Sequence, residues 1–137
     1  MSAAVPGLWR RIRDGGMATV AVMGMTKNTG KTVALNHLMA CAARERVGVG
    51  LTSIGRDGEE TDAVFSMFVW PGTVVATARD TLLRAKVRTR WLVGTGIDSP
   101  MGEIVLVKAL DAGEMEVAGA SRSADQIASI EQLRRCG

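Results

Sequence analysis

The chain is poor in aromatic residues and has only a small excess of positive charge. Its 137 residues include no Tyr, two Phe and three Trp, so stacking surfaces for single-stranded nucleic acid are not expected. The net charge of +3 is too small to indicate nucleic-acid binding without a clustered basic face. We therefore expect no nucleic-acid partner.

Cysteine is also scarce, and long apolar runs are absent. Cys41 and Cys136 lie too far apart in sequence for a metal-binding spacing, and a reduced cytoplasmic pair is the default interpretation. No apolar segment approaches the length of a membrane span. Three arginines near the N-terminus follow the few apolar residues there, which is unlike a signal peptide. We expect a cytoplasmic protein with no membrane association.

What the sequence does contain is a globular composition, with 47% hydrophobic and 23% charged residues. Residues 1–16 form a basic N-terminal segment, in which 6–14 are predicted to be a short helix with Leu8, Trp9 and Ile12 on one side. We expect Trp9 to pack against a sheet edge. Residues 17–137 are interpreted as one domain.

The central feature is a glycine-containing loop, residues 24–32 (GMTKNTGKT). An apolar segment, 17–23, precedes it, and a helix-forming segment runs from Lys31 to about Arg46. Glycines allow a tight turn close to a ligand, and a helix that begins there directs free N–H groups at an anion. Lys31 would contact the β- and γ-phosphates of a nucleotide, and the Thr32 hydroxyl would bind Mg²⁺. The order of elements favours nucleotide binding over a chance Gly-Lys-Thr.

A second polar segment follows the next predicted strand, residues 47–54. It contains four acids: Asp57, Glu59, Glu60 and Asp62. Ligands of open α/β sheets gather outside the carboxyl ends of the strands. One of these acids could hold Mg²⁺ through water, orient an attacking water or bind an amine substrate. For each acid taken alone, a solvated surface turn is the simpler interpretation.

The remaining segments predict a mixed α/β fold. Strands are predicted at 64–70, 90–93, 103–110 and 115–119, a strand or loop at 73–78, and helices at 79–86 and 124–135. The last two strands, within 103–119, are predicted to form an antiparallel hairpin in a mostly parallel sheet. The closing helix presents Ile127, Ile130 and Leu133 as an apolar stripe. The single histidine, His37, is interpreted as structural, since no Asp or Cys partner was identified near it in sequence.

The loop has five residues between Gly24 and Gly30, where the common phosphate-binding loop has four. This longer loop resembles that of dethiobiotin synthetase and the ATP-dependent cobyrinate amidases, in the P-loop branch that also holds the signal-recognition GTPases. Residues 24–35 (GMTKNTGKTVAL), 50–59 (GLTSIGRDGE), 72–78 (GTVVATA) and 95–105 (TGIDSPMGEIV), with Val117, Ala118 and Gly119, together resemble the family of small ATP-binding subunits of the lysine 5,6-aminomutase reactivase.

This resemblance covers most of 17–133 and implies a P-loop NTPase-like layered sheet. It also implies an ATPase that acts with a partner reactivase subunit to remove damaged cobalamin from a B12-dependent aminomutase. ATP and Mg²⁺ would be the cofactors. The implied catalytic residues are Lys31 and Asp57, and Thr32 and Asp57 would bind the metal. The implied nucleotide-binding residues are Gly24, Thr26, Lys27, Asn28, Thr29, Gly30, Lys31, Thr32 and Val33.

The sequence departs from this pattern near its end. A P-loop NTPase normally has an apolar strand ending in an Asp that holds the Mg²⁺ shell. The only substitutes here are residues 91–98, ending in Asp98, and 104–111, ending in Asp111. We therefore expect a partial P-loop domain, truncated at the C-terminus. An uncovered sheet edge or helix face would favour self-association or a partner.

Two further functions remain open from the sequence. A ligase similar to dethiobiotin synthetase would use ATP to phosphorylate a carboxylate or carbamate. A nucleotide-binding fragment without catalytic activity would act only through a partner. ATP turnover stimulated by a small acid would favour the ligase, and turnover stimulated by an aminomutase or partner subunit would favour the reactivase.

Overall fold

The computed structural model of the protein describes residues 7–16, 19, 31–53, 64–120 and 123–136. The chain divides into two units, Met1–Val47 and Gly48–Gly137, which are described separately. The predicted strand 17–23 lies outside the described residues except for Thr19. None of the described helices has the length and apolar character needed to cross a bilayer.

The described residues of the first unit form two helices, α1 (Leu8–Asp14) and α2 (Lys31–Arg44). Leu8, Trp9 and Ile12 are the half-buried residues of α1, which confirms the predicted apolar side of this helix. The Trp9 indole N–H donates a hydrogen bond to the carboxylate of Glu45, just beyond the end of α2. Arg13 Nη1 lies 2.7 Å from the other oxygen of the same carboxylate.

Helix α2 begins at Lys31, as the sequence predicts, and a capping structure ends it. The Val47 N–H donates to the Ala42 carbonyl at 2.8 Å, and the Arg46 N–H donates to the Ala43 carbonyl at 3.1 Å. Arg46 has φ +58°, the left-handed conformation that such a cap requires and that glycine more often supplies. The helix therefore stops two residues before the predicted end at Arg46.

The described residues of the second unit form six strands in two sheets. The strands are β1 (Gly50–Thr52), β2 (Val64–Val69), β3 (Val74–Ala78), β4 (Thr89–Gly94), β5 (Ile104–Ala109) and β6 (Gly113–Ala118). One sheet has the order β1-β3-β5-β4, and β2 pairs with β6 in the other. Only the β1–β3 pairing is parallel, and the other three are antiparallel. The described part of the chain is thus mixed α/β, as predicted, but its strand pairings are mostly antiparallel and not mostly parallel.

The predicted hairpin over 103–119 is wrong. Strand β5 is paired on one side with β3 and on the other with β4, so no edge of it is left for β6. The chain after β5 instead crosses to the second sheet, where β6 pairs with β2. The hairpin that does form is β4–β5, and it contains an irregularity between Trp91 and Val93.

Burial explains why β3 and β5 occupy the centre of the larger sheet. Every residue of β3 is buried, as are five of the six residues of β5, and strands covered on both faces read as continuous apolar runs. The main core cluster consists of Val74, Ala76, Ala78, Ile104, Leu106, Ala118, Ala120 and Leu133. The chain after β3 continues as a short 3-10 helix, Arg79–Arg84, where the sequence predicts a longer helix over 79–86.

The closing helix, α3 (Ser123–Cys136), packs on β1 and β3. Leu133 is buried and its Cβ approaches the Gly50 backbone closely enough that a Cβ at position 50 would lie 3.1 Å away. Ser129 is buried as well, whereas Ile127 is 60% exposed. The predicted apolar stripe is therefore wrong at Ile127, because the packed face of α3 runs through Ser129 and Leu133.

Candidate nucleotide-binding site

The predicted phosphate-binding loop lies partly outside the described residues. Gly24, Thr26, Lys27, Asn28, Thr29 and Gly30 are not described, and neither is Asp57. Lys31, Thr32 and Val33 form the first turn of α2. The first four N–H groups of an α-helix have no partner within the helix, so the backbone after the loop offers hydrogen-bond donors to an anion.

Three strands of the larger sheet end at the same edge. Strand β1 is parallel to β3, and β4 has the same direction because both β3 and β4 are antiparallel to β5. This carboxyl edge therefore carries Ser53, which precedes the acidic segment, and the chain segments that follow β3 and β4. In open, mostly parallel α/β sheets, ligands bind at this end of the strands.

The segment after β4 is held in place by a dense set of hydrogen bonds. The Thr95 hydroxyl donates to the Ile104 carbonyl at 2.6 Å, and the Gly96 N–H donates to the Glu103 carboxylate at 2.9 Å. A tight turn joins Ser99 to Gly102, whose backbones exchange two hydrogen bonds of 3.0 and 3.1 Å. Asp98 is exposed on this segment. The fold thus fixes one of the two substitute acids at the carboxyl edge.

The other substitute acid, Asp111, lies at the opposite end of these strands. It follows β5, which runs against β1 and β3, and Lys108 of β5 is paired with Val74 at the start of β3. The five residues of β3 separate the two edges by about 17 Å at ~3.3 Å per residue. Asp111 is also engaged by Arg88, whose Nε and Nη2 both lie 2.9 Å from its carboxylate oxygens. Of the two acids, only Asp98 shares an edge with the end of β1.

The contact between Asp111 and Arg88 predicts an acid-sensitive contribution to stability. The Arg88 side chain, and then its backbone N–H, lower the pKa of Asp111 from 3.8 to about 2. Because the folded-state pKa is depressed, the contribution is present above pH 4 and is lost as the pH falls from about 4 to 2. We expect Asp111→Asn to lower the melting temperature slightly at pH 7. The difference from wild type should disappear near pH 2, as followed by circular dichroism.

Arg88→Gln provides the matched control, since it removes the same contact from the other side. Its melting temperature should be slightly below that of wild type at neutral pH, and the two melting temperatures should become equal in acid. If the melting temperatures of Asp111→Asn and wild type differed by the same amount from pH 2 to pH 5, the contact with Arg88 would not be the source of the acid-sensitive stability.

Buried hydroxyl groups connect the two sheets of the second unit near the carboxyl edge. The Gly119 N–H donates to Ser53 Oγ at 2.8 Å, and the Ala118 N–H donates to Thr77 Oγ1 at 2.9 Å. Thr77 and Thr81 are joined through their hydroxyls at 2.8 Å, and Thr81 donates to the Ala78 carbonyl at 2.8 Å. These contacts hold the end of β6 against the ends of β1 and β3.

One cluster in the first unit was missed by sequence reasoning. Cys41 Sγ lies 3.5 Å from His37 Nε2 and 3.4 Å from Arg44 Nη2. The interpretation of His37 as having no nearby cysteine is therefore wrong. Positions four residues apart on a helix are neighbours, so this signal was present in the sequence.

The described residues contain no group of three or more His, Cys, Asp or Glu side chains placed to hold a metal ion. This finding does not test the predicted metal ligands, since Asp57 and the Thr32 side chain are not described. Comparisons with protein-family models, curated proteins and solved structures found no significant match.

Proposed function

We propose that the protein is a cytoplasmic ATP-binding subunit that assists the reactivation of a B12-dependent aminomutase. The observation that carries the nucleotide-binding part is the start of α2 at Lys31, directly after the glycine-containing loop 24–32. A helix of 14 residues has a developed dipole, and its N-terminus attracts phosphate. The reactivase part rests on the resemblance of the loop and the four other segments.

The chain's residues suit a nucleotide with its magnesium ion. The free N–H groups at the start of α2 suit phosphate oxygens, and Lys31 would add a cation beside the β- and γ-phosphates. The Thr32 hydroxyl would contribute an oxygen ligand to Mg²⁺, and Asp57 would act through a bound water. Bound ATP would supply the phosphoanhydride bond, and its hydrolysis would drive the reactivation of the aminomutase.

Partner dependence is the expected feature of this function. We expect the purified chain to bind ATP–Mg²⁺ weakly and to hydrolyse it slowly. Phosphate release should rise when a B12-dependent aminomutase carrying damaged cobalamin and its partner reactivase subunit are added together. Calorimetry measures the binding, and a phosphate-release assay measures the turnover.

The same assay separates the alternatives. Stimulation by a small carboxylic acid, without any partner protein, would favour a ligase. ATP binding without turnover under every condition would favour a nucleotide-binding subunit with no catalytic role. Fast hydrolysis by the chain alone would contradict the proposed dependence on a partner.

Asp57→Asn tests the acidic segment. A ligand that acts on Mg²⁺ through water belongs to the outer shell of the metal, and loss of such a group typically lowers activity by about 10-fold or more. We expect partner-stimulated phosphate release to fall by roughly that factor, with little change in melting temperature, because a Gly-flanked acidic loop has little to pack. Glu131→Gln removes a comparable charge from an exposed position of α3 and should leave turnover unchanged. A large loss of stability with unchanged turnover would make Asp57 a structural turn residue.

A further inference from the structure

The cluster of Cys41, His37 and Arg44 on α2 combines a nucleophile, a proton acceptor and a cation. Sγ of Cys41 lies 3.5 Å from the imidazole Nε2 and 3.4 Å from a guanidinium nitrogen. A buried cysteine is often only a small apolar side chain. Two nitrogen atoms at this distance from one sulfur, one able to accept its proton and one always charged, are what a reactive thiolate needs.

The thiol also has access to a cleft in the same unit. Cys41 is only 5% exposed, yet it lines a cleft of about 340 Å³ between α1 and α2. The other lining residues are Gly7, Trp9, Arg10, Arg13, His37, Arg44 and Glu45. The cleft is large enough for a small reagent, whereas the low exposure of the sulfur excludes bulky ones.

Positively charged side chains predominate around this cleft. Its lining contains three arginines and one glutamate. Hydrogen bonds from Arg13, and then from Trp9, lower the pKa of Glu45. Both donors belong to α1, so the Glu45 carboxylate already has its hydrogen-bond partners there. It is paired with Arg13, while the Nη2 of Arg44 is directed at the sulfur.

We propose that Cys41 is a modification site that reacts with hydrogen peroxide. His37 Nε2 takes the thiol proton, and the thiolate sulfur attacks one peroxide oxygen. An S–O bond forms, the O–O bond breaks and the imidazolium proton passes to the departing hydroxide. The products are a cysteine sulfenic acid and water. Sulfur is oxidised and the peroxide is reduced, with Arg44 stabilising the thiolate. This chemistry is independent of nucleotide binding.

The test compares the same thiol in the folded and the unfolded chain. In the Cys136→Ser variant Cys41 is the only cysteine of the protein. The chain is exposed to hydrogen peroxide for measured times, in buffer or in denaturing urea, and the peroxide is then removed with catalase. Every sample is transferred to urea before the sulfenic acid is trapped with dimedone, so that the trap reaches the sulfur equally, and the product is counted by mass spectrometry. General-base assistance contributes about 100-fold or more, and burial of the sulfur offsets part of it. We expect the folded chain to react about tenfold faster. A folded rate equal to or below the unfolded rate would overturn the proposal.

Two substitutions assign the roles. His37→Gln and Arg44→Gln, each checked for folding by circular dichroism, should bring the folded rate down to the unfolded rate or below it. If folded variants react as fast as the parent, the proposed roles of His37 and Arg44 are wrong. The comparison of folded and unfolded parent chain needs neither variant and therefore holds even if a substitution prevents folding.

Discussion

Lys31→Ala is expected to weaken binding of ATP–Mg²⁺ by roughly 10- to 150-fold. A charge-assisted hydrogen bond contributes about 1.5–3 kcal/mol, and each 1.4 kcal/mol corresponds to about a tenfold change in affinity. The substitution removes the cation of the loop 24–32 that is also the first helical residue of α2. Alanine is a good helix former, so α2 itself should persist.

Lys86→Ala is the matched control. Its ammonium group is 78% exposed and reaches Glu114 only at 4.0 Å, and a surface ion pair of this kind contributes little. The variant should bind nucleotide as the wild type does. Calorimetric titration of both variants with ATP–Mg²⁺ gives the comparison. Equal affinity of Lys31→Ala and wild type would remove the basis of the nucleotide-binding proposal.

Local signals in the sequence predicted the elements that depend on neighbouring residues. Helix α2 begins at Lys31 because a Gly-containing loop is followed there by helix-forming residues. Strand β5 follows from an apolar run, whereas the sequence over 73–78 is compatible with a strand or a loop and forms β3 in the structure. The end of α2 was less predictable, because Arg46 adopts the left-handed conformation that a glycine would have indicated.

Strand pairing could not be obtained in the same way. The short connection after β5 favoured a hairpin with β6, but a pairing is decided by every strand that competes for the same edge. Residues 74–78 and 89–94 pair with the two sides of β5, and only the second of these strands is its neighbour in sequence. The preference of a strand for one partner is therefore a property of the whole sheet and not of the connecting turn.

At the candidate site, too, local contacts could be predicted from the sequence, whereas the relative placement of residues on different strands could not. Asp98 and Asp111 look equivalent in the sequence, since each follows an apolar strand. Only the direction of the strands separates them: β4 runs with β1, whereas β5 runs against it. The contact of His37 with Cys41, by contrast, follows from a spacing of four residues on a helix and was accessible from the sequence alone.

Among the described glycines of the second unit, Gly119 is the one whose Cβ would meet the closest obstacle. A Cβ built there would lie 1.9 Å from the Ser53 carbonyl oxygen and 2.7 Å from Thr52 Oγ1. The obstacle is backbone, which cannot rotate away as a side-chain end can. The glycine N–H also donates to Ser53 Oγ at 2.8 Å, so separating the two segments would break this hydrogen bond.

We therefore expect Gly119→Ala to destabilise the protein by about 2–3 kcal/mol, the upper part of the usual range for overpacking. For a chain of this size the loss corresponds to a fall in melting temperature of roughly 10 °C. Urea denaturation followed by circular dichroism measures the free energy of unfolding, and the unchanged slope of its denaturant dependence would show that the unfolded state is the same.

Gly48→Ala is the control for the loss of glycine itself. No heavy atom lies within 4 Å of a Cβ at position 48, and this residue is not among the glycines with positive φ. Replacing such a glycine reduces the conformational freedom of the unfolded chain, which stabilises a protein by about 0.4–1 kcal/mol. The two variants should thus change stability in opposite directions. Equal effects would mean that the approach of Gly119 to Ser53 does not limit this position, and that the end of β6 can move away from β1 at little cost.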